Sequence, residues 1–254
     1  MLKRLALGPA LHQGPDARQL RLRQRSLKFQ VKPHAVEPQR EPLQHILGEV
    51  DFAGVRLKVD RRALIPRPET ELLVEIVAGW AADNPPVARI ADLGTGTGAI
   101  ALGLAERLPS VAVVAADREE AALALARENA SARPAGDRLE FVRSDWFSAL
   151  PAGSFDIIVS NPPYLSETEL AEVAPEVRDF EPRSALVAAD DGLGDLRKII
   201  SGAVERLRRG GLLALETGPS QHAALLEAAN SAGYTKVESR RDLTGRDRFI
   251  LAVW

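Results

Sequence analysis

From Ala88 to Val253 short apolar runs alternate with stretches of helical period, and that alternation restricts the fold more than any other feature of the chain. The apolar runs lie at Ala88–Leu93, Ala112–Ala116, Leu139–Val142, Asp156–Ser160, Gly211–Glu216, Lys236–Ser239 and Phe249–Val253. Helix-length stretches fall between them at Ala99–Arg107, Glu119–Ala130, Asp195–Arg208 and Gln221–Ser231. Strand then helix, repeated, predicts a parallel sheet with helices on both faces, because parallel neighbours need a long crossover and a helix is its compact form. Only the last two runs follow one another directly, across "RRDLTGRDR", which predicts an antiparallel pair at the sheet edge. The expected class is α/β, a doubly wound, mostly parallel seven-stranded sheet.

With 254 residues, 45 % of them hydrophobic, the chain can bury a sizeable core in one large domain, with or without a small appendage. Upstream of the alternation, "LQHILGEVDFAGVRLKVD" has two short β-prone runs around Gly48 and Gly54 and reads as a hairpin. "IPRPETELLVEIVAGW" reads as a helix beginning near Pro68 and ending before "DNPP", with Leu72, Leu73, Ile76, Val77 and Trp80 as its buried face. The first 40 residues carry nine basic and two acidic side chains, a net +7, whereas the whole chain is −2. The expected organisation is a short basic segment over residues 1–41, a hairpin connector over 42–65 and the main domain over 66–254.

Cysteine is absent, which excludes disulfides, thiolate metal sites and a cysteine nucleophile. The four histidines, His12, His34, His45 and His222, have no ligand spacing, so no metal is expected. No segment approaches the roughly 20 apolar residues of a membrane span. A cytoplasmic protein is therefore expected, with an organellar matrix as the alternative because the arm is Arg-rich and acid-poor. The arm is expected to be a solvated tail; contact with nucleic acid is its alternative reading.

"RIADLGTGTGAIALGLA" is a strand, a glycine loop and a helix in succession. Its spacing is G-x-G-x-G rather than the G-x-G-x-x-G of dinucleotide sites, it lacks the Gly-Lys-Ser/Thr of a P-loop, and Asp92 stands ahead of it. A carboxylate there repels a pyrophosphate and attracts a cationic sulfonium or ammonium. Asp117, about 20 residues past the glycines at the next strand end, can accept both hydroxyls of a ribose. "SDW", Ser144 to Trp146, follows the third strand and can border a base. Three successive strand ends carrying such groups describe one crevice at the carboxyl edge of a parallel sheet.

Through "DLGTGTG", Asp117 and "SDW" the sequence resembles the class I, Rossmann-like, S-adenosylmethionine-dependent methyltransferases. The resemblance implies that the glycine loop and first acid hold the methionine end of the cofactor, the second acid the ribose, and the third-strand residues the adenine. It assigns cofactor contacts to Asp92, Gly94, Thr95, Gly96, Thr97, Gly98, Asp117, Trp146 and Asn161, with S-adenosylhomocysteine as product.

The fourth strand ends in "SNPPY". Two prolines stop a strand, since neither can donate to the ladder, but they do not account for the flanking Asn161 and Tyr164. An amide or aryl amine nitrogen is a poor nucleophile because its lone pair is delocalised. An enzyme can help by binding both N–H hydrogens so that the lone pair points at an electrophile. The side-chain oxygen of Asn161 and the carbonyl of Pro162 are two such acceptors, held rigid by Pro162 and Pro163, and the Tyr164 ring can pack on a planar amide or base. A strong base is not required if the proton leaves after transfer.

N-P-P-Y resembles the motif of methyltransferases acting on planar NH₂ groups: adenine in DNA, guanine in RNA, or glutamine in protein. "PLQHILGEVDFAGVRLKVDRRALIPRPETELLVE", "FEPRSALVAADDGL" and "LLALETGPSQ" resemble the family that methylates the glutamine of the Gly-Gly-Gln motif in peptide chain release factors. The resemblance runs from about Pro42 to the C-terminus. It implies release factors as partners, no membrane, Asn161, Pro162 and Tyr164 as catalytic residues, and Asn161, Pro162, Pro163 and Tyr164 as the substrate contacts. That family has a larger helical N-terminal domain, so residues 1–41 correspond to a reduced or truncated substrate-binding region. Arg67 in "IPRPETE" and Arg183 in "EPR" read either as surface features or as parts of the pocket mouth. Two other functions fit the same residues: an amino-group methyltransferase on nucleic acid bases, and a non-catalytic cofactor-binding module.

Overall fold

The computed structural model describes residues 40–131, 133–150 and 155–254. The basic arm, and with it the expectation placed on residues 1–41, lies outside the described residues apart from its last two positions. A short helix α1 (Leu43–Leu47) leads into a hairpin of β1 (Glu49–Phe52) and β2 (Val55–Lys58). α1 occupies part of a stretch that reads as β-prone, and Gly48 closes it in the left-handed region by donating its N–H to Gln44 O. The hairpin turn is Ala53-Gly54, both at positive φ, which matches the right-handed twist of the strands on either side. Phe52, Val55 and Leu57 point inward and are buried.

α2 (Pro68–Asp83) starts as predicted, with Pro68 in its first turn and Glu69 and Glu71 set favourably against the helix dipole. Its buried face is Thr70, Leu73, Val74, Val77 and Ala81, one row away from the predicted one. Leu72, Ile76 and Trp80 are only half-buried. The rotation follows from packing: α2 lies against α3 at Gly103, where an added Cβ would meet Val74 Cγ1 at 3.3 Å.

The main sheet comprises β3 (Arg89–Leu93), β4 (Ala112–Asp117), β5 (Leu139–Arg143), β6 (Phe155–Ser160), β7 (Leu207–Glu216), β8 (Lys236–Arg241) and β9 (Asp247–Val253). Between these strands lie α3 (Ala99–Arg107), α4 (Glu120–Ser131), α5 (Glu167–Glu172), α6 (Pro175–Arg178), α7 (Gly194–Ala203) and α8 (His222–Ser231). The strand order is β5-β4-β3-β6-β7-β9-β8. The sheet is parallel apart from β9, which runs antiparallel to both of its neighbours. The predicted final pair is present, but β9 inserts next to β7 and leaves β8 as the edge, where Lys236, Glu238, Arg240 and Arg241 discourage further pairing.

Two further predictions of local structure differ from the fold. The helix expected to run to Arg208 ends at Ala203, because Leu207 joins β7 and pairs with Phe155 of β6. α5 was not expected, although Ser166 and Glu169 form a capping box that opens it, an S-x-x-E signal visible in "SETE".

The inner strands are buried on both faces over most of their length, as a doubly wound sheet requires, while the edge strands β5 and β8 are only partly covered. Ile90, Val113, Ala115, Ile157 and Val159 pack toward α2 and α3, and Ala91, Leu93, Val114, Ala116 and Ile158 toward α7 and α8. Among the described residues no helix is long and apolar enough to cross a membrane. At the amino end of the sheet, Asp156 Oδ2 accepts the backbone N–H groups of Ala88 and Arg89, each at 2.8 Å, and Oδ1 accepts from Arg208 Nε of β7. One buried carboxylate thus fastens three adjacent strands. Asp156→Ala leaves two amides without their acceptor and is expected to cost about 3 kcal/mol of stability in urea unfolding, while Asp156→Asn, which keeps one acceptor, loses less.

Candidate active site

The strand order reverses at β3, with β4 and β5 to one side and β6 and β7 to the other, so a crevice opens beyond the carboxyl ends of β3 and β6. Leu93 and Ser160 are register partners, and Ser160 Oγ donates to Leu93 O at 2.6 Å. Gly94 and Asn161 therefore leave the sheet side by side. They line a cleft of about 950 Å³, its open mouth included, together with Thr95, Gly96, Thr97, Asp117, Trp146 and Pro163. Of the residues singled out from the sequence, Asp92, Gly98, Pro162 and Tyr164 are not part of that lining.

The glycine loop is shaped by the strand beside it. Gly94 N and Thr95 N both donate to Ala116 O, and Gly96 N donates to Asp117 Oδ2 at 2.9 Å. Gly98, at φ 82, opens α3, and an added Cβ would lie 3.2 Å from Ala126 Cβ of α4. Asp117 Oδ1 accepts from Glu119 N at 2.9 Å, so the carboxylate is held at the rim, and burial raises its pKa.

Asp92 is fully buried behind the loop. Its Oδ2 accepts from Thr95 Oγ1 at 2.6 Å and from Ala101 N at 3.1 Å, while Oδ1 has no hydrogen-bond partner among the described residues. Burial, with a smaller push from Asp117, raises its carboxyl to about 7. A buried carboxylate oxygen beside a glycine loop suits a cation or an N–H donor.

Trp146 sits at φ 48, a left-handed position that few bulky residues adopt. Its indole Nε1 donates to Asp195 Oδ1 at 3.3 Å, and its ring lies where a Cβ on Gly94 would meet it at 3.6 Å. The ring both borders the cleft and packs on the apolar layer under α7 and α8. Ser144 and Asp145, the rest of "SDW", also line the cleft.

Asn161 Nδ2 donates to Thr70 Oγ1 at 3.2 Å, and Thr70 Oγ1 donates to Glu216 Oε2 at 2.7 Å. Glu216 is buried, and burial raises its carboxyl to about 7. Tyr164 turns away from the cleft lining: its ring packs on the apolar layer, its hydroxyl accepts from Arg248 Nη1 at 3.3 Å and its carbonyl accepts from Gln221 Nε2 at 2.8 Å. Burial raises its phenol to about 12. Thr70 and Glu216 were missed in the sequence, although an acid closing the apolar run "LLALE" is the same strand-end signal that marked Asp117.

A family model described as the methyltransferase small domain matches residues 69–177. A release factor glutamine methyltransferase of Cereibacter sphaeroides is 46 % identical over 218 residues, which cover 86 % of this chain and 76 % of that protein. One of Escherichia coli is 44 % identical, covering 83 % and 75 %. The chain belongs to the release factor glutamine methyltransferase family. Its fold is also that of the N-terminal domain of human METTL16, solved in complex with SAH, at a TM-score of 0.56 and 20 % identity over 79 % of this chain and 76 % of that one.

In this member of the release factor glutamine methyltransferase family, the block "IPRPETE" and the loop "EPR" meet at the cleft. Arg67 lines it together with Pro182, Ser184 and Ala185. Arg67 Nη2 donates to both carboxylate oxygens of Glu181 at 2.7 Å, and Arg118 Nη2 donates to Ser184 O at 3.3 Å. Arg183 points elsewhere, pairing with Glu167 on the exposed side. The Arg67–Glu181 pair is lopsided, with side-chain exposures of 32 % and 1 %. Removing the arginine strands a buried carboxylate, whereas removing the glutamate lets the guanidinium rehydrate. Arg67→Met is expected to cost about 3 kcal/mol and Glu181→Ala about 1 kcal/mol in urea unfolding, an order that a simple surface ion pair would not show.

Proposed function

We infer that the chain transfers a methyl group from S-adenosylmethionine to the side-chain amide nitrogen of the glutamine in the Gly-Gly-Gln motif of peptide chain release factors. The observation that carries this reading is the level exit of Gly94 and Asn161 from β3 and β6, which puts an amide acceptor beside the glycine loop. The family supplies the substrate, and residues 66–254 carry the chemistry.

The residues present fit the cofactor. Asp92 Oδ1 is a buried acceptor with no partner among the described residues, suited to the ammonium of a methionine moiety. Asp117 is held at the rim by two backbone N–H groups and retains lone pairs for ribose hydroxyls. Trp146 offers a ring face for adenine. When bound, S-adenosylmethionine supplies a methyl on a cationic sulfur, which the amide nitrogen takes while the carbon–sulfur pair stays with sulfur, leaving S-adenosylhomocysteine.

The chain's own residues then have to orient a weak nucleophile. Nδ2 of Asn161 is committed to Thr70, so Oδ1 is the acceptor left for one substrate N–H. We assign the other to the backbone carbonyl of Pro162, which lies between the lining residues Asn161 and Pro163, and the two prolines keep both acceptors in place. Tyr164 serves by bracing the loop through its ring packing and its bond from Arg248. The proton leaves the nitrogen after transfer, so no buried base is needed.

Incubation with S-adenosylmethionine and purified release factors, followed by peptide mass analysis, is expected to find one methyl on the Gly-Gly-Gln glutamine and none on deproteinised RNA or DNA. Asn161→Ala should lower kcat by at least about 10²-fold with little change in cofactor affinity measured by calorimetry. Asp92 gives a second expectation. Its ionised form attracts the cofactor's cation, so affinity should rise as pH rises through about 7, and Asp92→Asn should bind more weakly with no such slope.

A further inference from the structure

A hydroxyl has one hydrogen, and the partner that takes it decides what the oxygen offers to the next group. Thr70 gives its hydrogen to Glu216 Oε2 and receives one from Asn161 Nδ2. The arrangement is built by the sheet: Leu215 of β7 is the register partner of Ser160 of β6, so Glu216 and Asn161 stand at the same level on adjacent strand ends. The first turn of α2 adds Thr70, which hydrogen-bonds to both. Thr70 is 4 % and Glu216 1 % exposed, so two polar groups sit where Leu73 and Val74 otherwise fill the helix face. Burying them is unfavourable unless they are paired.

We propose that Glu216 and Thr70 are positioning residues that set which end of the Asn161 amide faces the substrate. This rests on Asn161 being the acceptor for the glutamine amide. The oxygen and nitrogen ends of an asparagine have nearly the same shape, so hydrogen bonding alone chooses between them. An ionised Glu216 can only accept, which obliges Thr70 to donate to it. The Thr70 oxygen then has only lone pairs to offer, Asn161 meets them with Nδ2, and Oδ1 is presented to the substrate. In the flipped state Asn161 would present N–H groups to a substrate N–H, and the nucleophile would lose an acceptor.

The charged and titratable groups acting on Glu216 are Arg248 of β9, Arg67 and Glu69 at the start of α2, and Tyr164. Tyr164 ionises only near pH 12, whereas burial brings the Glu216 carboxyl to about 7, so Glu216 changes state around neutrality. A protonated Glu216 can donate to Thr70, which frees the Thr70 hydrogen to meet Asn161 and removes the preference for Oδ1 outward. Lowering the pH through about 7 therefore loosens the orientation.

The test uses the full chain with release factor and saturating S-adenosylmethionine, which keeps the ionisation of Asp92 out of kcat. Thr70→Val should lower kcat about tenfold to a hundredfold, with cofactor affinity by calorimetry unchanged, and Thr70→Ser should restore it. Wild-type kcat should fall as pH drops through about 7, and this acid limb should be absent in Thr70→Val and in Glu216→Gln. Wild-type kcat in Thr70→Val, or an acid limb surviving in either variant, overturns the proposal. Should Thr70→Val fail to bind cofactor, the Glu216→Gln profile decides alone. An active Asn161→Ala removes the functional reading itself, whereas an inactive Asn161→Ala beside a fully active Thr70→Val removes only the positioning role.

Discussion

The parallel pairing of β3 with β6 is the constraint on which the rest depends. It joins the two halves of the sheet at the point where the winding reverses, and its last rung, Leu93 with Ser160, is tied by a side-chain hydrogen bond to the backbone. Loops from distant parts of the chain become neighbours because their strands end at the same height. The core enforces that height. Leu93 and Ile158 pack under α7 and α8 while Ile90 and Val159 pack under α2 and α3, so a slip of one residue would send side chains to the wrong layer. The cleft inherits its geometry from apolar packing some distance beneath it.

α2 shows the same economy within one helix. Leu73, Val77 and Ala81 hold it to the core. One turn earlier Thr70 reaches Asn161 and Glu216, and at its N-cap Arg67 reaches Glu181. Any displacement of the helix start would disturb the amide-binding strand end and the "EPR" wall together. Gly103, by admitting Val74 closely, keeps that start in register with α3 and the glycine loop that precedes it.

The seven strands and α3 were legible because period and punctuation agreed there: apolar runs bounded by glycine, proline or charge. The sequence pattern carries α7 past its true end, since "VERLRR" continues a helical period and only the pairing of Leu207 with Phe155 overrules it. The position of Thr70 could not be read, because a threonine among "PETELL" has no apolar or charged signal and its burial depends on how far α2 rotates about its axis. Glu216 had a local signal, an acid closing a strand, but its meaning required knowing that β7 lies next to β6. The turning of Tyr164 away from the cleft lining likewise depends on Arg248, which β9 delivers by inserting beside β7.

Two buried carboxylates, Asp92 and Glu216, share a raised pKa of about 7 from the same cause and differ in how the protein compensates them. Because each folded pKa exceeds the ordinary carboxylate value, each holds its proton more tightly in the native state, and the fold loses stability as pH rises from about 4 through about 7. Glu216 spends its charge inside the protein, fixing the Thr70 hydrogen. Asp92 satisfies one oxygen internally and leaves the other unpartnered among the described residues. That second oxygen can be compensated by a bound cation, so the stability lost by burying Asp92 is regained when ligand binds, and burial of the acid becomes a source of affinity.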